Sequence, residues 1–167
     1  PEVEIFVPGT PAEFTHLFEQ NYDNDRLSYF RLSEESNQES YLAQSGKASI
    51  VKFGEQGLVI AIGPALDWAL AAVADLDVTV LYLNSLTPFD EETLSSSNPK
   101  SPVIIVEPFY EGTTALQVQR TLAGIPVALY SIGVPREFIH NYGTREQLLS
   151  AMGLDAHTIR SRIERLL

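Results

Sequence analysis

Apolar residues in this chain gather into short dense runs separated by segments with helical spacing. Val3 to Val7 is strand-like, and the "TPAE" that follows offers Thr10 as a helix N-cap, Pro11 at the first helical position and Glu13 to complete a capping box. Phe14, Leu17 and Phe18 come next on one helical face, and Leu27 to Leu32 returns to a strand pattern. These residues predict a β-α-β unit, too small to make a stable sheet alone. The stretch "SEESNQESYLAQSGK" is polar, serine-rich and acidic, as linkers and exposed loops are. A boundary is expected near residues 36–46, dividing the chain into 1–40 and 41–167.

Beyond it the alternation is regular. "ASIVKF" and "LVIAIG" flank "GEQG" and read as a hairpin or close pair of strands. "PALDWALAAVADL" is helical, with Leu66, Leu70 and Val73 on one side and alanines that permit close approach to a sheet. "VTVLYL" predicts a strand, "DEETL" a short helix, "PVIIVE" a strand, "TTALQVQRTLA" a helix and "PVALYSIG" the last strand. Runs such as "LVIAI" and "VIIV" lack polar alternation, which marks strands buried on both faces. The fold class is therefore α/β: a three-layer α/β/α domain on a mostly parallel five-stranded sheet, its first strand free to run antiparallel, preceded by the β-α-β unit. The ending "YGTREQLLSAMGLDAHTIRSRIERLL" predicts two helices, the first with a Thr144–Gln147 capping box and stopped at Gly153, the second capped by Asp155. Ile159, Ile163 and Leu166 or Leu167 form one apolar stripe, which leaves the arginines on the solvent side.

That two-helix ending has the outline of a DNA-reading motif, and charge decides against it. The chain carries 22 acidic and 11 basic residues, a formal charge of −11. From Thr144 to Leu167, Arg145, Arg160, Arg162 and Arg165 exceed Glu146, Asp155 and Glu164 by one. Such a field repels nucleic acid and anionic membranes alike. No apolar run approaches the ~20 residues that cross a bilayer, and the N-terminus shows no signal-peptide pattern. The absence of cysteine excludes disulfides and thiolate metal sites and is compatible with a reducing cytoplasm.

Chemistry-bearing motifs are sparse. Neither G-x-x-x-x-G-K-[ST] nor G-x-G-x-x-G occurs, and there is no G-x-S-x-G nucleophile elbow. Gly112, Thr113 and Thr114 open a helix, where free amides either favour an anion or serve ordinary capping. His16, His140 and His157 lie in three separate segments without ligand spacing. Arg31, at a strand end before a polar loop, could hold a substrate phosphate or pair with Glu34 or Glu35. No catalytic residue and no metal site is identified.

The order of segments resembles the transketolase family, which includes deoxyxylulose-phosphate synthase and the pyruvate dehydrogenase beta subunits. "VEIFVPGTPAEFTHLFE" and "YFRLS" are similar to the end of that family's pyrimidine-binding domain, so residues 1–40 are expected to be its remnant and linker. "GLVIAIGPALDWALAAVADL", "VTVLYLNSLTPFDEETL" and "VIIVEPFYEGTTALQVQRTLA" resemble successive units of the C-terminal domain, and "IGVPREFIHNYGTREQLLSAMGLDAHTI" resembles its closing segment. The resemblance implies a complete enzyme that uses thiamine diphosphate and a divalent metal to move two-carbon ketol units between sugar phosphates. It implies a cytoplasmic homodimer in which this part supports the catalytic domains or subunit. The metal motif and the activating glutamate of the family are absent from this sequence, so the chain alone is expected to bind no thiamine diphosphate and to be inactive. Two departures stand out: Glu34 occupies the place of an arginine that often contacts substrate phosphate, and "EPFYEGTT" replaces an E-E-H-x-x-x-G-G stretch. A non-catalytic binding or regulatory module derived from the family is the competing expectation.

Overall fold

The computed structural model describes residues 3–167. It begins with β1 (Glu4–Phe6), α1 (Pro11–Asn21) and β2 (Ser28–Phe30), and β1 and β2 are parallel. Thr10 caps α1 by accepting from the Glu13 amide at 3.2 Å, with Pro11 in the first turn where its missing N–H is not needed. Residues 31–47 form neither helix nor strand. Then follow β3 (Ala48–Lys52), β4 (Leu58–Ile62), a 3-10 turn (Gly63–Ala65), α2 (Leu66–Ala72), β5 (Thr79–Leu83), β6 (Ser85–Thr87) and α3 (Glu91–Ser96). The chain closes with β7 (Val103–Tyr110), α4 (Ala115–Thr121), β8 (Leu129–Val134), α5 (Arg145–Ala151) and α6 (Ala156–Glu164).

Five strands make the main sheet in the order β3-β5-β4-β7-β8, with β3 antiparallel to β5 and the rest parallel. Both faces are covered, as the unbroken apolar runs predict. Val59, Ala61, Val80, Tyr82, Ile104 and Val106 face α2 and α6. Leu58, Ile60, Ile62, Leu81, Val103 and Ile105 face α3 and α4 on the other side. Ala69 and Ala72 are fully buried, so the small side chains of α2 do bring that helix close to the sheet.

Two details of pairing differ from the sequence reading. β3 and β4 are not a hairpin, because β5 lies between them. The intervening loop does not fold back on itself: the Glu55 and Gln56 amides donate to Asp77 O at 3.0 and 2.8 Å, and Gly54 N donates to Thr79 Oγ1 at 3.1 Å. Those bonds clip the loop to the start of β5 and draw that strand into the middle. The second difference is β6, a strand the pattern did not predict. It follows β5 almost immediately and pairs antiparallel with β1, giving a three-stranded sheet β2-β1-β6. The small N-terminal sheet is thus completed by the larger domain.

The tail folds as its caps dictate. Thr144 and Gln147 form the reciprocal capping box of α5, and Asp155 caps α6 by accepting from Thr158 N at 3.0 Å. Ile159 and Ile163 are fully buried in the core they share with α2. The arginines are not simply solvated, as the stripe pattern suggested. Arg160 pairs with Asp75 and, at 2.8 Å, with Glu164; Arg162 pairs with Glu111 at 3.0 Å; Arg145 pairs with Glu35. Glu164 meets Arg160 within one helix, whereas Asp75, Glu111 and Glu35 come from distant segments that a one-helix periodicity cannot reveal.

Candidate functional site

Parallel strands β4, β5, β7 and β8 all end at one edge of the sheet. The helix leaving β4 covers one face and the helix leaving β7 covers the other, so the connections diverge between these two strands. The crevice outside such a divergence is where open α/β sheets accept ligands. Here the N-terminal unit lies across it. Gly63, just past β4, has φ +51, and a Cβ there would stand 2.6 Å from both the Val7 Cγ1 and the Val7 carbonyl oxygen. Val7 N donates to Asn84 O at 2.9 Å, and Asn37 Nδ2 donates to Gly63 O at 3.1 Å. The linker is therefore laid down on the sheet crest by backbone and amide contacts.

A buried carboxylate holds this junction together. Glu13 is 1% exposed and accepts from four donors: Gly9 N at 2.8 Å, Tyr82 OH at 2.7 Å, Tyr41 N at 3.1 Å and Asn84 Nδ2 at 3.4 Å. The predicted capping residue thus reaches β5, the residue after it and the linker, far beyond its own helix. Burial first, then the charge of Glu13, pushes the Tyr82 phenol far above its ordinary value, so it remains a donor. Buried and fully engaged, Glu13 is a clasp rather than a reactive group.

Arg31 emerges at the rim of the same crevice. Its backbone amide extends the β1 ladder by donating to Phe6 O at 2.8 Å. Its guanidinium carbon stands 5.4 Å from the Phe109 ring centroid, and Nη2 donates to Pro108 O at 3.3 Å. An ion pair with Glu34 or Glu35 does not form; Glu35 is held by Arg145. Arg31 instead lines a cleft of about 170 Å³ with Trp68, Pro108, Leu149 and Met152 among its walls.

The helix start at Gly112–Thr114 has a different occupant. Glu107, fully buried at the carboxyl end of β7, accepts from Gly112 N at 2.6 Å, from Thr114 N at 3.1 Å and from Thr114 Oγ1 at 2.8 Å. Thr113 N donates to Tyr110 O. All three amides that an external anion would use already have acceptors within the chain. Burial pushes the Glu107 carboxyl above its ordinary value, against the opposing pull of the Thr114 and Gly112 hydrogen bonds. The stability this group contributes is complete below its unfolded value of 4.5 and declines as pH rises through the folded value. Melting temperatures of the wild type and Glu107→Gln between about pH 4 and 7 will test this. The wild type is expected to lose ground to the variant as pH rises, and an opposite slope would refute the shift.

His16, His140 and His157 are all exposed and lie in separate parts of the fold. Among the described residues no three His, Cys, Asp or Glu side chains converge as a metal ion requires. Neither the start of α4, whose amides are taken, nor the cleft of about 170 Å³ beside Arg31 fits thiamine diphosphate. Among the described residues no helix is long and apolar enough to cross a membrane.

Residues 46–159 match the family described as "Transketolase, C-terminal domain". The chain belongs to that family. Over its whole length it is 35% identical to the "uncharacterized 33.6 kDa protein in fasciation locus" of Rhodococcoides fascians, of which it spans 55%. It is 34% identical over 118 residues to the 1-deoxy-D-xylulose-5-phosphate synthase of Thioalkalivibrio sulfidiphilus, covering 68% of this chain and 18% of the synthase. Among solved structures, a "split gene transketolase, inactive beta4 tetramer" superposes on the whole chain with a TM-score of 0.87 at 22% identity, over 58% of its own length. The α/β/α fold read from the sequence is the fold of that family. The chain spans about half or less of these relatives.

Proposed function

We propose that this chain is the C-terminal part of a transketolase-type, thiamine-diphosphate-dependent transferase. The complete enzyme, in this reading, uses that cofactor and a divalent metal for two-carbon ketol transfer between sugar phosphates in the cytoplasm. The part described here braces the catalytic domains and contributes to a homodimer; by itself it turns nothing over. Residues 1–40 are the end of a pyrimidine-binding domain, and residues 41–167 are the C-terminal domain.

One observation supports the reading beyond family membership: the N-terminal unit is a small three-stranded sheet that leaves large aromatic side chains exposed. Its strand β2 is an edge, and Phe18, Tyr22 and Tyr29 are 46%, 69% and 53% exposed. Phe14 and Phe18 of α1 and Tyr22 at its C-cap follow one another, with ring centroids 5.7 and 5.8 Å apart. A three-stranded sheet with an aromatic helix face in water is what remains when the strands and helices that cover it belong to other polypeptide.

Isothermal titration with thiamine diphosphate and Mg²⁺ will test the proposal, on this chain alone and on the chain produced together with its upstream coding region. The chain alone is expected to give no binding heat, and the longer or paired protein to bind at micromolar concentration and show ketol transfer. Binding by the chain alone, or none by the larger assembly, would remove the reading.

A further inference from the structure

The cleft beside Arg31 is built wholly by this chain, so its properties do not depend on the enzyme reading. It lies at the divergence of β4 and β7 and is closed by three unrelated segments: the end of β2, the start of α2 and the face of α5. Arg31 supplies one guanidinium that faces no carboxylate partner among the described residues. That group is stacked on Phe109 and tethered through Nη2 to Pro108 O, so it is held in place while its remaining N–H groups are uncommitted. Among the described residues the only carboxylate lining the cleft, Glu35, is paired with Arg145. Arg31, Glu35 and Arg145 thus sum to +1 locally in a chain of formal charge −11. Trp68, Leu149 and Met152 give the cleft an apolar wall, and Ser33 and Glu35 add polar groups to its lining.

Size and charge together select the ligand class. A volume of about 170 Å³ lies below the range of nucleotide or drug-sized sites. A single fork-shaped cation matches a planar carboxylate in a two-bond contact, whereas a doubly charged phosphate is usually met by several donors and cations. The apolar wall of Trp68, Leu149 and Met152 suits a short hydrocarbon body.

We propose that this cleft binds a short-chain carboxylate, with the carboxyl group on Arg31 and the hydrocarbon part against Trp68 and Met152. Ligand here bridges the N-terminal unit to the tail helix and so stiffens one part of the molecule against the other. Trp68 is the single tryptophan, so its fluorescence reports this cleft alone. Butyrate titrated into the full chain is expected to change that emission saturably at millimolar concentration, while the neutral butyramide is not. Arg31→Gln, at an exposed position, should keep its circular dichroism spectrum and melting temperature and weaken butyrate binding at least about tenfold. The idea is overturned if butyrate gives no saturable change, if butyramide acts equally, if Arg31→Gln binds as the wild type does, or if inorganic phosphate binds while butyrate fails.

Discussion

Glu13→Ala is expected to lower the free energy of unfolding by roughly 3–5 kcal/mol in urea denaturation. The reason is the number of donors that converge on one carboxylate. Gly9 N, Tyr41 N, Tyr82 OH and Asn84 Nδ2 all point at Glu13, and alanine would leave them buried and unpaired. Tyr82→Phe removes one of the four and should cost less, about 1–3 kcal/mol. Were Glu13 merely an acid in the first turn of a helix, its removal would cost about 1 kcal/mol or less. A loss no greater than that would show that the junction does not depend on it. Hydrogen exchange gives a second reading: amides of the linker and α1 should lose protection in Glu13→Ala before those of β4 and β7.

Gly63→Ala is the other substitution with a large expected effect, roughly 2–4 kcal/mol. Two terms add. A left-handed φ of +51 is unfavourable for any residue with a Cβ, and that Cβ would collide at 2.6 Å with the Val7 side chain and carbonyl. Gly124→Ala separates them, since Gly124 has φ +91 but nothing within 4 Å of its Cβ direction. It should lose only about 1–2 kcal/mol. Thermal melts of both variants decide the matter. Equal losses at the two positions would mean that Val7 yields freely and that the N-terminal unit is not seated on the sheet as described.

Local signals in this sequence were reliable wherever neighbours in sequence are also neighbours in space. The Thr144–Gln147 box and the Asp155 cap could be read directly because their partners lie within one turn. "LVIAI" announced a strand covered on both faces, yet nothing in it names the strand beside it, which is why β3 was set against β4 rather than β5. β6 escaped notice because three residues ending at Thr87–Pro88 carry no period. Glu13 is the instructive miss. Thr10-x-x-Glu13 is a true helix-start signature, but the carboxylate bonds Gly9 N instead of the cap residue and then reaches positions 28, 69 and 71 residues away. Arg31 shows the converse: an ion pair with a sequence neighbour was one natural reading, and a ring from β7 took the contact instead.

The shared strand β6 has a consequence for the timing of synthesis. The segment 3–30 has only two strands of its own, a marginal sheet. Its third strand ends at Thr87, so roughly 3–11 s of translation separate the emergence of Phe30 from that of its last partner residue. During that interval the edge of β1 that later takes β6 has no partner from this segment, although Phe6 and Leu17 can already pack against Phe30 and Ala43. Chaperone contact at the ribosome would therefore fall on this end of the molecule, and its release would wait for a hydrogen-bonding edge supplied from more than fifty residues downstream.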